Sequence, residues 1–185
     1  RKPASALLRN GRIQAETSGS PQIATLVSRG YGEVKSRGCV EFTPWEALHL
    51  VREGLLEVEE PSKGKLSFEE LFERLSKADE ALWSKYLVYR DLRGRGYMVK
   101  PGFGGGFHFR VYERGAYGKQ PSRYLILTVC EGKPVRLAEL LGLEELPKAI
   151  EHLDVAGGGK TFGYRIEGEE GLEVELVLGD REPVR

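Results

Sequence analysis

Asparagine and methionine are almost missing from this chain of 185 residues, where Asn10 and Met98 are the sole examples of each. Beside abundant Glu, Lys and Arg, that depletion of heat-labile side chains points to a thermophilic source. Cysteine is nearly as rare. Cys39 and Cys130 stand far apart and outside any Cys-x-x-Cys spacing, so the sequence supports neither a disulfide framework nor a zinc site and is expected to keep two reduced, buried thiols. No apolar run approaches the roughly 20 residues of a membrane span. The first thirty residues also lack the charged, apolar and small-residue order of a signal peptide. The expectation is a cytoplasmic protein with no membrane partner. His49, His108 and His152 show no ligand spacing, so no metal is expected, and each reads as a packed or surface histidine, with His108 the one to test.

What is present is unevenly spread. The formal net charge is zero, yet Lys85 to Arg123 holds nine Lys or Arg against Asp91 and Glu113, a net of +7. From Glu131 to the end thirteen acids face seven bases, a net of −6. A basic middle suits phosphate and an acidic tail suits a basic protein partner, although a solvated face explains any single charge run equally well.

The pattern of elements predicts two small mixed domains, 1–80 and 81–185, in an α/β (α+β) fold whose C-terminal half is a mixed sheet flanked by helices. Gly11 to Glu16 reads as a strand, Gln22 to Arg29 as a short helix, and Gly38 to Phe42 as a strand. The next helix has Thr43 as N-cap, Pro44 at its first position, Glu46 to complete a capping box, and Gly54 as its stop. Leu66, Ser67, Glu70 and Leu71 predict a second capping box with a hydrophobic staple. A longer helix over Asp79–Arg93, ended by Gly94-Arg-Gly96, bridges the halves. Period-two strands follow over Tyr97–Lys100, Phe107–Tyr112, Tyr124–Val129, Lys160–Ile166 and Leu172–Leu178, with a short helix around Leu137 to Leu141.

Three motifs resemble chemistry and fail on spacing or specificity. Gly157-Gly-Gly-Lys-Thr161 lacks the first glycine of a phosphate-binding loop, since Asp154 stands there. Gly102-Phe-Gly-Gly-Gly106 misses the dinucleotide fingerprint at Phe107 and reads as a turn between strands. Glu131-x-Lys133, half of a metal-dependent nuclease site, is a tripeptide common by chance. No cofactor is expected.

Three blocks carry a resemblance: Tyr89-Arg-Asp-Leu-Arg-Gly-Arg-Gly-Tyr-Met-Val-Lys-Pro-Gly102, Phe107-His-Phe-Arg-Val-Tyr-Glu-Arg-Gly115 and Ser122-Arg-Tyr-Leu-Ile126. In that order they resemble the archaeal tRNA-splicing endonuclease (tRNA-intron endonuclease) family over about residues 80 to 180, whereas the N-terminal half agrees in the order of its elements. The resemblance implies the C-terminal fold of that family's catalytic domain and a metal-independent cut of precursor tRNA at bulge-helix-bulge introns, leaving a 2′,3′-cyclic phosphate and a 5′-hydroxyl. Such a cut needs a base for the ribose 2′-hydroxyl, an acid for the leaving 5′-oxygen and a cation for the phosphoryl charge.

Carried over by position, the family's tyrosine falls on Tyr112 and its lysine on Lys160. Its histidine should precede Ser122, where this chain has Pro121, which can neither donate nor accept a side-chain proton. Ala156-Gly-Gly-Gly159 likewise departs from the family's basic, serine-containing stretch. The chain therefore resembles the structural subunit of the heterotetrameric crenarchaeal-type enzyme, with Tyr112 and Lys160 vestigial. Ile166-Glu-Gly-Glu-Glu-Gly-Leu172 matches the family's acidic turn, so Glu167, Glu169 and Glu170 are expected to dock on a neighbouring subunit. Leu172, Val174 and Leu176 are expected to pair the last strand with a catalytic sister in an α2β2 assembly. Two alternatives stand beside this one. In the first the chain cuts by itself, with an acid such as His108; in the second it is an RNA-binding module that sets Arg90, Arg93, Arg95 and Arg110 against phosphate.

Overall fold

A computed structural model describes residues 2–104, 107–130, 165–167 and 173–179, gathered in two compact units, Arg1–Tyr86 and Leu87–Arg185. The division falls inside a helix, six residues beyond the expected linker at 80. Among the described residues no helix is long and apolar enough to cross a membrane.

The N-terminal unit is a six-stranded sheet with three helices. Its strands are β1 (Ala4–Arg9), β2 (Arg12–Glu16), β3 (Glu33–Val34), β4 (Cys39–Phe42), β5 (Leu56–Glu60) and β6 (Gly64–Lys65), in the spatial order β3-β4-β2-β1-β5-β6. All neighbours are antiparallel except β1 and β5, which run parallel. β1 is not legible as a strand from composition, because Ala-Ser-Ala-Leu-Leu-Arg lacks β-branched residues. What makes β1 a strand is burial of alternate residues: Ala4, Ala6 and Leu8 point into the core between β2 and β5. Ile23 from α1 (Pro21–Ser28), Leu48 from α2 (Pro44–Arg52) and Leu71 from α3 (Phe68–Ser76) are buried with them.

The helix ends divide into one prediction met and one overturned. At α3 the Ser67 hydroxyl accepts from the Glu70 amide at 3.2 Å and the Glu70 carboxylate accepts from the Ser67 amide at 2.9 Å, a complete capping box. Leu66 and Leu71, the staple, are both buried. At α2 the expected box is absent, for Thr43 makes no side-chain cap and Glu46 is only 5% exposed. Pro44 explains why the helix starts without it: its ring presets φ and removes one amide, and the Thr43 carbonyl accepts from the Ala47 amide at 2.9 Å. Gly54, at φ +65°, closes α2 with the Leu55 amide on the Leu50 carbonyl and its own amide on the Val51 carbonyl. Gly96 closes the next helix in the same way.

That helix, α4 (Leu82–Gly94), spans the division between the units. Its first residues pack at home: Trp83 lies 5.5 Å from Phe72 and 5.4 Å from Tyr86, ring to ring. Its later residues Val88, Tyr89 and Leu92 are buried in the C-terminal unit, where Tyr89 lies 6.2 Å from Phe109.

The C-terminal sheet has the order β10-β11-β9-β8-β7, built from β7 (Met98–Gly104), β8 (Phe107–Tyr112), β9 (Tyr124–Cys130), β10 (Arg165–Glu167) and β11 (Glu173–Gly179). Only β9 and β11 are parallel, so the sheet is mixed. The glycine-rich run after Pro101 serves the β7–β8 hairpin. A Cβ on Gly102 would overlap the Phe107 carbonyl, and the register shifts between Pro101 and Gly104. The helix expected around Leu137 to Leu141 lies outside the described residues.

Two stability predictions follow from the α3 box. Replacing Ser67 with Ala is expected to cost about 1 kcal/mol, read by urea unfolding through tryptophan fluorescence, since Trp45 and Trp83 both belong to the N-terminal unit. The Lys63 ammonium, followed by the Ser67 amide, holds the Glu70 carboxyl below its ordinary 4.5. A lowered folded value means stability that is complete above pH 4.5 and lost as pH falls below it. Glu70→Gln, which keeps the cap and removes the charge, is therefore less stable than the parent at pH 7 and equal to it in acid.

Candidate functional site

Strand β8 alternates. Phe109 and Val111 are fully buried on the face covered by α4, and the residues that alternate with them, His108, Arg110 and Tyr112, are turned to the other face. The residues that carry chemistry therefore share one side of the sheet. On that side β7 contributes Lys100, paired in register with Arg110, and Met98, paired with Tyr112.

Tyr112 ends the strand and is 7% exposed. Its hydroxyl lies 3.4 Å from an Arg110 guanidinium nitrogen, and its ring meets Tyr117 at 5.0 Å, nearly perpendicular. Arg110 is anchored by its Nε, which donates to the Pro101 carbonyl at 2.7 Å. Lys100 holds its ammonium 5.1 Å from the centre of the Tyr117 ring. Two cations at directly opposed positions repel, at about 0.2–1 kcal/mol for such a pair. The Tyr117 ring and the Pro101 carbonyl offset that repulsion.

The loop from Glu113 to Arg123 joins β8 to β9 by successive turns, with Gly115 and Gly118 at positive φ. An exposed Glu113–Arg123 ion pair closes its ends, and the Arg123 amide donates to the Val111 carbonyl at 2.8 Å. Pro121 lies exposed on this loop, just before half-buried Ser122.

His108 has a different task. Its Nδ1 accepts from the Thr128 amide at 2.9 Å, beyond the last registered pair of the β8–β9 ladder, Phe109 with Ile126. The ring stands in for a backbone carbonyl, and that bond assigns the neutral tautomer protonated at Nε2. Four residues of extended chain put His108 about 13 Å from Tyr112, too far for both to serve one phosphodiester.

The arginines expected to bind RNA are not brought together. Arg90 and Arg93 ride on α4, on the Phe109 face, and Arg95 follows its end, whereas Arg110 stands across the sheet from α4. Arg93 donates to the Tyr97 carbonyl at 3.3 Å, Arg95 pairs with Asp91 at 2.9 Å, and Arg90 is exposed. Of the expected interface residues, Glu167 pairs with Glu173 and Val174 with Ile166 between β10 and β11. Val174 and Leu176 pair with Leu125 and Leu127 between β11 and β9. Lys160, Glu169, Glu170 and Leu172 lie outside the described residues. Tyr117 and Lys100 were not expected in a site, and the clue available in the sequence was an aromatic in a loop rich in glycine and basic residues.

Two family models match the chain in order. Residues 13–72 match the tRNA intron endonuclease N-terminal domain, and residues 82–150 match the tRNA intron endonuclease catalytic C-terminal domain. The chain is 34% identical over 128 residues to the tRNA-splicing endonuclease of Methanococcus maripaludis, covering 69% of this chain and 72% of that one. The protein of the same name from Methanococcus vannielii matches to the same extent. The tRNA-splicing endonuclease of Thermococcus onnurineus is 46% identical over 103 residues, covering 56% of this chain and 58% of that one.

The Arg110 anchor generates a prediction. Arg110→Met keeps the apolar stem and removes the bond to Pro101, so the C-terminal unit should lose about 1.5–3 kcal/mol, the range for hydrogen bonds to charged groups. Arg110→Lys should restore little of it, because lysine lacks the forked donors. Thermal unfolding followed by circular dichroism reads both.

Proposed function

Because the chain belongs to the tRNA intron endonuclease family, we propose that it is the structural subunit of a tRNA-splicing endonuclease, supporting a cut that a catalytic sister performs. The enzyme so assembled excises introns from precursor tRNA at bulge-helix-bulge sites and leaves 2′,3′-cyclic phosphate and 5′-hydroxyl ends. One observation carries this reading. The loop position that must return a proton to the leaving 5′-oxygen holds Pro121, which has no side-chain proton.

The rest of the site agrees with that reading. Tyr112 offers a phenol beside a guanidinium, a base without its acid. His108, the nearest substitute by type, spends its Nδ1 on the Thr128 amide and stands too far along the strand. Proton-transfer sets act as units, and a missing acid alone costs 10²–10⁴ in rate as an order of magnitude. Assembly as α2β2 rests on the acidic turn from Glu167 through Glu170, whose carboxylates suit a basic pocket on a neighbouring subunit. Edge-to-edge pairing through the last strand, expected from its alternation, is not open to it, because β11 lies between β10 and β9 with both backbone edges taken.

The test is cleavage of a bulge-helix-bulge RNA in EDTA, by this chain alone and with a candidate catalytic sister. Cutting only by the mixture, within about twofold of the same rate when this chain carries Tyr112→Phe, is the expected result. Cutting by this chain alone, or a loss of the size that removal of a working base brings, roughly 10²-fold or more, would overturn the structural role.

A further inference from the structure

Four side chains on one face of the C-terminal sheet do more than a non-cutting subunit needs for packing. Tyr117 is 46% exposed, one of two large hydrophobic side chains so exposed among the described residues, and its loop is held in place by two turns and the Glu113–Arg123 pair. The ring is not loose, for it stands nearly perpendicular to Tyr112 at 5.0 Å. Lys100 lies 5.1 Å from its centre, and Arg110 is register-paired with Lys100 on the neighbouring strand. An exposed aromatic ring fixed beside two cations that repel each other is the composition of a single-strand nucleic-acid site: the ring offers stacking to any base, and the cations offer charge to its phosphate.

We propose that Tyr117, Lys100 and Arg110 form a nucleotide-binding site in this subunit, in which an unpaired base of the RNA stacks on Tyr117 and its phosphate lies between Lys100 and Arg110. The proposal rests on the reading above that the substrate is RNA. It adds that the subunit without an acid still grips a looped-out nucleotide, holding it where no proton is available to complete a cut. The site reads no sequence, since stacking is open to all four bases and the cations meet only the backbone.

The experiment measures binding of a fluorescent bulge-helix-bulge RNA, and of the same RNA with abasic bulges, to the chain assembled with its catalytic sister, in EDTA and over a salt series. Tyr117→Ser is expected to weaken binding of the base-containing RNA roughly tenfold and to leave the abasic RNA unchanged, while Tyr117→Phe binds as the parent does. Lys100→Gln should lower the salt slope of log affinity by about 1 on both RNAs. The site is overturned if Tyr117→Ser binds both RNAs as the parent does, or if it weakens both equally. Cleavage of the same RNA is scored separately. A mixture that fails to cut refutes the splicing role, whereas a mixture that cuts normally and whose Tyr117→Ser form binds both RNAs as the parent does refutes only this site.

Discussion

The six residues of β8 have to satisfy two environments at once, and most of the C-terminal unit depends on how they do so. A strand sends successive side chains to opposite faces, so once Phe109 and Val111 are committed to the core beneath α4, the side chains of Arg110 and Tyr112 have no choice of side. Slipping the strand by one residue would bury a guanidinium among the aromatic rings of Tyr89 and its neighbours. Burial of an unpaired charge costs far more than any contact regained, so register and site are fixed by the same constraint. The hairpin adds a lock, because the close approach of Gly102 to the Phe107 carbonyl admits no side chain at that point.

This has a bearing on how a signature can outlast a reaction. Arg110 ties β7 to β8 through the Pro101 carbonyl, Tyr112 buries its ring against Tyr117, and His108 caps the Thr128 amide where the ladder stops. Each of the three has work in the fold that is independent of proton transfer. A chain can therefore keep the arginine-valine-tyrosine strand whatever side chain stands at the exposed loop position 121.

Much of this was legible in the sequence, and the failures are informative. The capping box at Ser67 and Glu70 was readable because all its partners lie within four residues. The box at Thr43 was misread because its first member fails: the Thr43 side chain makes no cap bond, and Pro44 starts the helix without it. Strands β1 and β5 were missed for another reason: their pairing joins Ala4 to Leu56 across half of the N-terminal unit, and no local pattern announces a parallel contact of that span. In the site, Tyr112 could be named from its block, yet the Arg110 bond to its hydroxyl, the Lys100 register and the Tyr117 ring contact all depend on which residues face each other across strands. The acidic turn's Glu169 and Glu170, like Lys160, lie outside the described residues.

Pro121 has one more consequence, in the language of acidity rather than geometry. A histidine in that loop would change charge near neutrality and give the hairpin a proton-binding switch in the middle of the physiological range. Proline binds no side-chain proton at any pH, so position 121 gives this loop no such switch. In an assembly that mixes two kinds of hairpin, a neutral-pH limb of the rate profile that depends on this loop position would have to come from the other kind.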